Sequence, residues 1–252
     1  MKKILYLFLL LNYAIISSIK AQIHTIQTIK EVMAYLSPND SQIVVFDIDN
    51  TLLRAPSDLG SDQWVGAIAK QNITNGMSYL AAWNQILPIY FHIQNYINLV
   101  PTEPDIANSI QAIEQLCKHT ICLTARSSAQ LITITCEQLA KNNLNFQVPE
   151  IDHTRLNLPG DSIYQQGVLF CGHNCKGQVL VSFLQACHFK PSEIILIDDK
   201  LYNLESVEKQ LANYNIKFTG LRYAGCDELV SNLDMTKATQ ELDVFLLQYP
   251  IT

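Results

Sequence analysis

The chain has 252 residues, 48% apolar and 16% charged, enough to build a sizeable core in one large domain or two small ones. That composition excludes general disorder, and nine glycines, nine prolines and no repeat at solenoid periods exclude collagen-like, low-complexity and solenoid chains. The 17 basic and 23 acidic residues give a formal charge of −6, or −9 without Lys2, Lys3 and Lys20 of the leader; no basic run offers a surface for nucleic acid or anionic lipid.

In chain order, Lys2 and Lys3 precede the apolar run Ile4 to Ile16, and Ser17, Ser18 and Ala21 follow it. Charge, grease and small residues in that order predict a secretory signal peptide over residues 1–21, cleaved after Ala21. The run is shorter than the ~20 residues of a spanning helix. The mature protein is therefore expected to be exported, periplasmic or extracellular, with no stable membrane insertion. Export also lets disulfides persist, and seven cysteines leave at least one unpaired or paired between chains. Cys117, Cys122, Cys136 and Cys187 lie in apolar runs and read as core. Cys171 and Cys175 bracket C-G-H-N-C, which reads as a disulfide or an inert pair rather than zinc, because no second cluster of ligands matches it.

Ile23, Ile26, Ile29, Met33 and Leu36 fall at helical spacing, with Pro38 as a stop, and predict a first helix. The short β-rich runs Ile43–Phe46, Ile121–Leu123, Val168–Phe170, Ile194–Ile197 and 216–221 predict strands buried on both faces. Amphipathic stretches at 106–118, 128–141, 177–188 and 201–214 predict the helices between them. Strand and helix in alternation imply an α/β fold, a doubly wound parallel sheet with right-handed crossovers. Residues 54–103 break the rhythm and predict an inserted helical cap, its helix broken or kinked at Pro88. The core then comprises 22–53 and 104–252. Within the insertion, Tyr79, Trp83 and Tyr90 read as its own core rather than as a ligand box.

Ligands of such sheets bind beyond the carboxyl ends of the strands, where strand order reverses. The residues that follow the runs are Asp47, Asp49 and Thr51, then Thr124 and Arg126, then Lys176 at a helix start, then Asp198, Asp199 and Asn203. Several acids at one rim repel and imply a bound cation. All-oxygen ligands without histidine suit Mg²⁺ with a phosphate as co-ligand. One carboxylate can attack phosphorus, a second can move the proton, and Thr124 and Lys176 can hold the phosphate oxygens. Arg126 reads equally as a carboxylate's structural partner and as a substrate contact. Arg54, Asp58 and Asp62 read as solvated loop, and His173 as surface.

The motifs V-V-F-D-I-D-N-T-L-L at 44–53, L-T-A-R at 123–126, the lysine at 176 and I-D-D-K-x-x-N at 197–203 resemble, in order, those of haloacid dehalogenase superfamily phosphatases. The resemblance spans about residues 43 to 223 and points to an exported bacterial subgroup of unassigned function. It implies a Rossmann-like core with a cap after the first motif. It implies Asp47 as nucleophile and Mg²⁺ ligand, and Asp49 as acid/base that offers its backbone carbonyl to the metal. Thr124 and Lys176 would bind phosphate, Asp198 would ligate Mg²⁺ directly, and Asp199 and Asn203 would support it from behind. Two departures stand out: Gly177 follows the lysine where many members have proline, and 145–166 has no counterpart. The expected function is a Mg²⁺-dependent phosphohydrolase that cleaves a phosphorylated small molecule through an aspartyl-phosphate. The alternative is a secreted interaction protein on the same scaffold, against which the intact acid pair speaks.

Overall fold

The computed structural model describes residues 22–38, 41–126, 128–146, 156–214 and 216–251. The predicted leader lies outside the described residues, as does much of the unplaced 145–166 stretch. Among the described residues, strands β1 (Gln22–Ile26), β2 (Gln42–Phe46), β5 (Thr120–Thr124), β6 (Ile163–Gln165), β7 (Val168–Phe170), β8 (Glu193–Asp198) and β9 (Lys217–Tyr223) form one sheet in the order β1-β9-β8-β2-β5-β7-β6. Every neighbouring pair is parallel except β6 with β7. That edge strand is a correction to the all-parallel expectation. Gln166 and Gly167 both adopt positive φ (48° and 80°), the turn geometry that joins antiparallel strands across two residues. A Cβ on Gly167 would lie 2.4 Å from the Phe146 carbonyl oxygen, so both its conformation and its neighbour demand glycine.

The first predicted helix is also corrected. Residues 22–26 form β1 against β9, and only Ile29–Tyr35 coils, as a 3-10 helix. Isoleucines three apart fit a helix, but here Ile23, Thr25 and Ile26 are β-branched residues beside an open sheet edge, and pairing prevails.

Alternation along the strands divides the core in two. Val44, Phe46, Ile195 and Ile197 face a layer built from the 3-10 helix, α3 (Ile106–Leu116) and α4 (Ser128–Lys141). Ile43, Val45, Ile194 and Leu196 face α5 (Lys176–Ala186) and α6 (Leu201–Leu211). Helices cover both faces, as in a doubly wound fold. Strand order reverses at β2, where the chain first adds β5 and β7 on one side and later returns to add β8 and β9 on the other.

Between β2 and α3 the chain runs through the two-residue strands β3 (Leu53–Arg54) and β4 (Val100–Pro101), antiparallel partners at the base of α1 (Asp62–Thr74) and α2 (Tyr79–Gln94). Of the two expectations at Pro88, the break is not seen: α2 continues through it from Tyr79 to Gln94. Asn84 and Pro88 both lie on the exposed face, so the carbonyl that proline leaves without a donor can turn to water. The C-terminal helix α8 (Met235–Gln248), preceded by the short α7 (Asp227–Ser231), packs against this insertion rather than the sheet. Ala238 shares a buried cluster with Trp64, Ile86 and Ile93, and Phe245 and Tyr249 contact the rings of His92 and Tyr96. Glu241 accepts from the Leu59 amide at 3.0 Å, closing the seam. No helix among the described residues is long and apolar enough to cross a membrane.

Candidate active site

The carboxyl ends of β2 and β8 carry the acids. Phe46 pairs with Ile197, and the Asp47 amide donates to the Ile197 carbonyl at 2.8 Å, so Asp47 and Asp198 emerge side by side. Beyond Asp47 the chain folds into a tight loop in which the amides of Thr51, Leu52 and Leu53 all donate to the Ile48 carbonyl. Asn50 takes φ 58° there, a conformation that asparagine tolerates better than most residues. The loop sets Thr51 to accept from the Asp199 amide at 3.1 Å, locking the first and last motifs together.

Lys176 joins them. Its ammonium lies 2.6 Å from an Asp47 oxygen and 2.7 Å from an Asp198 oxygen, and all three side chains are buried. The Asn203 amide donates to both Asp198 oxygens, and the Lys200 backbone N–H to one of them. Lysine at the first turn of α5 runs against the helix dipole, so the acids and not the helix hold it there. Gly177 permits the arrangement, because a Cβ there would come within 2.8 Å of the Ser206 carbonyl oxygen on α6. The departure from proline thus corresponds to a close crossing of α5 and α6.

Oxygens of Asp47, Asp198 and Asp199 all lie within 4.8 Å of one another. Lys176 pairs with two of these carboxylates, Asp47 and Asp198, and not with Asp199. Burial pushes the Asp47 carboxyl up to about 7, against the pull of Lys176. Burial and the neighbouring Asp47 push Asp199 up to about 8. One Asp199 oxygen is buried and has no hydrogen-bond partner. Acids crowded beyond their neutralisation, with an orphaned oxygen among them, fit a hard divalent cation such as Mg²⁺. Asp47, Asp198 and Asp199 are the residues that would hold it.

Asp49, two residues on, has a different environment. Arg126 grips it with two bonds, 2.8 and 2.9 Å. The same guanidinium donates to Gln138 on α4 (2.7 Å), to Thr135 (3.0 Å) and to Gln94 on α2 (3.3 Å). Burial opposes the charge on Asp49, but Arg126 outweighs it and holds the carboxyl below its usual value. Of the two readings of Arg126, the structure thus gives it a carboxylate partner. Thr124, at the end of β5, is fully buried, and its hydroxyl oxygen accepts from the Arg126 amide at 3.2 Å.

A cavity of about 430 Å³ opens between the sheet and the insertion. Asp49, Lys176, Asn203 and Arg126 line it; Asp47, Asp198, Asp199 and Thr124 lie behind that wall. Sequence reasoning missed several of its residues, among them His173, read as surface. Asp62, read as solvated loop, forms an ion pair with Lys200 across the seam between insertion and core. Tyr202, inside the last motif, lines the cavity with 64% of its surface exposed. Tyr79, Trp83 and Tyr90, read as insertion core, all line the cavity; Tyr79 is 69% exposed there, whereas Tyr90 also belongs to the buried core of the insertion and Trp83 packs partly against it. The sharpest signal available was charge: Asp62 and Lys200 are unlike charges beside two motifs. The cysteines form no disulfide; Cys171 is buried and Cys175 exposed, an unbonded pair.

A protein of Chlamydia trachomatis serovar D named "Putative outer membrane protein" is 30% identical over 219 residues, 86% of this chain and 82% of its own length. A solved hydrolase from Pseudomonas syringae superposes with a TM-score of 0.43 at 14% identity, covering 79% of this chain and 89% of that one. A haloacid dehalogenase-like hydrolase from Streptococcus pneumoniae superposes with a TM-score of 0.37 at 11% identity, covering 76% and 98%. A family model described as "Protein of unknown function (DUF2608)" matches residues 25–248, which span both acid-bearing strand ends, the insertion and the C-terminal helix, and the chain belongs to that family.

Proposed function

We propose that the protein is a Mg²⁺-dependent phosphohydrolase that cleaves a phosphomonoester of a small molecule. One observation carries the reading: oxygens of Asp47, Asp198 and Asp199 converge within 4.8 Å of one another, and Lys176, which pairs with the first two, also lines a cavity. A bound Mg²⁺ would neutralise the acids and draw electron density from the phosphate oxygens. With its carboxylate partners neutralised, Lys176 is free to turn its ammonium toward those oxygens, and the Thr124 hydroxyl retains a proton to donate. An Asp47 oxygen attacks phosphorus, the bond to the leaving oxygen breaks as protonated Asp49 gives that oxygen its proton, and an aspartyl-phosphate forms. Asp49, now a carboxylate, takes a proton from the water whose oxygen attacks the phosphorus, and the bond to Asp47 breaks to release phosphate. Arg126 favours the ionised form of Asp49 and so serves that base step directly.

With the predicted leader this chemistry would act outside the cytoplasm, and the name of the chlamydial relative supports a cell-envelope setting. The test is turnover of p-nitrophenyl phosphate by purified mature protein with Mg²⁺, with EDTA, and after Asp47→Asn. Activity that requires the cation and vanishes in the variant is expected. Equal turnover in EDTA or in the variant overturns the reading.

A further inference from the structure

We infer that the cavity selects phosphomonoesters whose leaving group carries a planar aromatic ring. The inference rests on the phosphohydrolase reading for the bond that breaks, but the ring-binding wall stands on its own residues. Lys176 and Asp49 mark the phosphate end. Away from it, Tyr79 and Trp83 of α2 form one wall, their rings 6.2 Å apart and tilted by 56°, and Tyr202 of α6 contributes from the core side. Tyr79 and Tyr202 are 69% and 64% exposed although both are large and apolar in body. Two exposed aromatic rings, one on each side of a polar hole, are surfaces for which water is a poor partner.

Several of the charged and amide groups nearby are already engaged. Asp62 pairs with Lys200, and the Asn174 amide donates to Asp161, Ser162 and the Cys171 carbonyl. A polyol such as a sugar would need such groups for its hydroxyls. Alongside the hydroxyls of Tyr79 and Tyr202 and the His173 ring, what these walls offer is aromatic ring face. A flat ring satisfies the faces by stacking, and one with acceptors on its edge also suits the tyrosine hydroxyls. Two sources share this chemistry, simple aryl esters and nucleoside monophosphates.

The experiment compares kcat/KM for phenyl phosphate, adenosine 5′-monophosphate and glycerol 3-phosphate, with Mg²⁺, in the wild type and in a Tyr79→Leu/Tyr202→Leu variant. Both positions are exposed, so folding is not at stake. In parallel, Trp83 fluorescence is titrated with adenosine, which has no phosphate to cleave; the other tryptophan, Trp64, is buried. At least one aromatic ester should exceed glycerol 3-phosphate by about five- to a hundredfold, the range commanded by stacking of one base. The double variant should lose most of that advantage through KM. Preference for phenyl phosphate alone supports an aryl source, and preference for the nucleotide a nucleoside source. Hydrolysis of all three esters without aromatic preference overturns the inference and leaves the phosphohydrolase reading intact. Saturable quenching by adenosine that the variant weakens, with no ester hydrolysed, supports the ring site while the phosphohydrolase reading fails.

Discussion

Asp47 and Asp49 are two residues apart, yet their surroundings are opposite in kind. Asp47 shares one lysine with Asp198, beside an Asp199 oxygen that has no partner, so negative charge is in excess. Asp49 lies in a bidentate grip whose arginine has three further acceptors, so its charge is fully met. The difference teaches that one part of the site is built to receive something, while the other is built to hold a carboxylate still.

The contrast is broken most severely by Asp47→Asn, which should lower turnover of p-nitrophenyl phosphate by about a thousandfold or more, as loss of a nucleophile does. The melting midpoint, measured without added cation, should stay level or rise, because one crowded buried charge has gone. Arg126→Ala should act in the reverse sense, through stability first. Breaking a buried ion pair costs about 3–5 kcal/mol, on the order of 10 °C in the melting midpoint for a chain of this size. Arg126→Lys should recover only part of the loss, since an ammonium cannot make the paired contact. Gln138→Ala removes one charge-assisted bond from the same arginine and should cost about 1–3 kcal/mol in a denaturant titration.

The smallest effect is one of pH. Asp47 and Asp199 have folded values of about 7 and about 8, above the roughly 3.9 of an unfolded aspartate. Between those limits the folded protein binds more protons than the unfolded chain, so in EDTA stability should fall as pH rises from about 4 to 8. Added Mg²⁺ replaces those protons, and its stabilising shift should be a few degrees larger at pH 8 than at pH 5.5, a gap that Asp199→Asn should narrow. A shift independent of pH would count against an excess of charge around Asp47.

The alternation of apolar runs with amphipathic stretches made the sheet and its two helical layers legible, because burial on both faces leaves a continuous mark on β2, β5 and β8. Position at strand ends then located the acids. What stayed hidden had no local mark. Arg126 and Asp49 are 77 residues apart, and nothing in L-T-A-R distinguishes a grip on a carboxylate from a contact with substrate. The isoleucines at 23, 26 and 29 fit a helical period, yet residues 22–26 pair with β9, almost two hundred residues later, and nothing local marks that partner. Gln-Gly at 166–167 is a weaker hairpin signal than Asn-Gly, so β6 went unread. Tyr79 and Tyr202 are aromatic in either reading; only their exposure separates wall from core.

The packing of the last helix on the insertion has a consequence for how the chamber opens. Phe245 and Tyr249 sit on His92 and Tyr96, and Glu241 ties down the Leu59 amide, so the roof is bolted to the chain's own tail. Any swing wide enough to admit a bulky guest must first unseat the final turns. The terminal helix is thereby a brace for the insertion from outside the chamber, since none of its described residues lies among those that line the cavity.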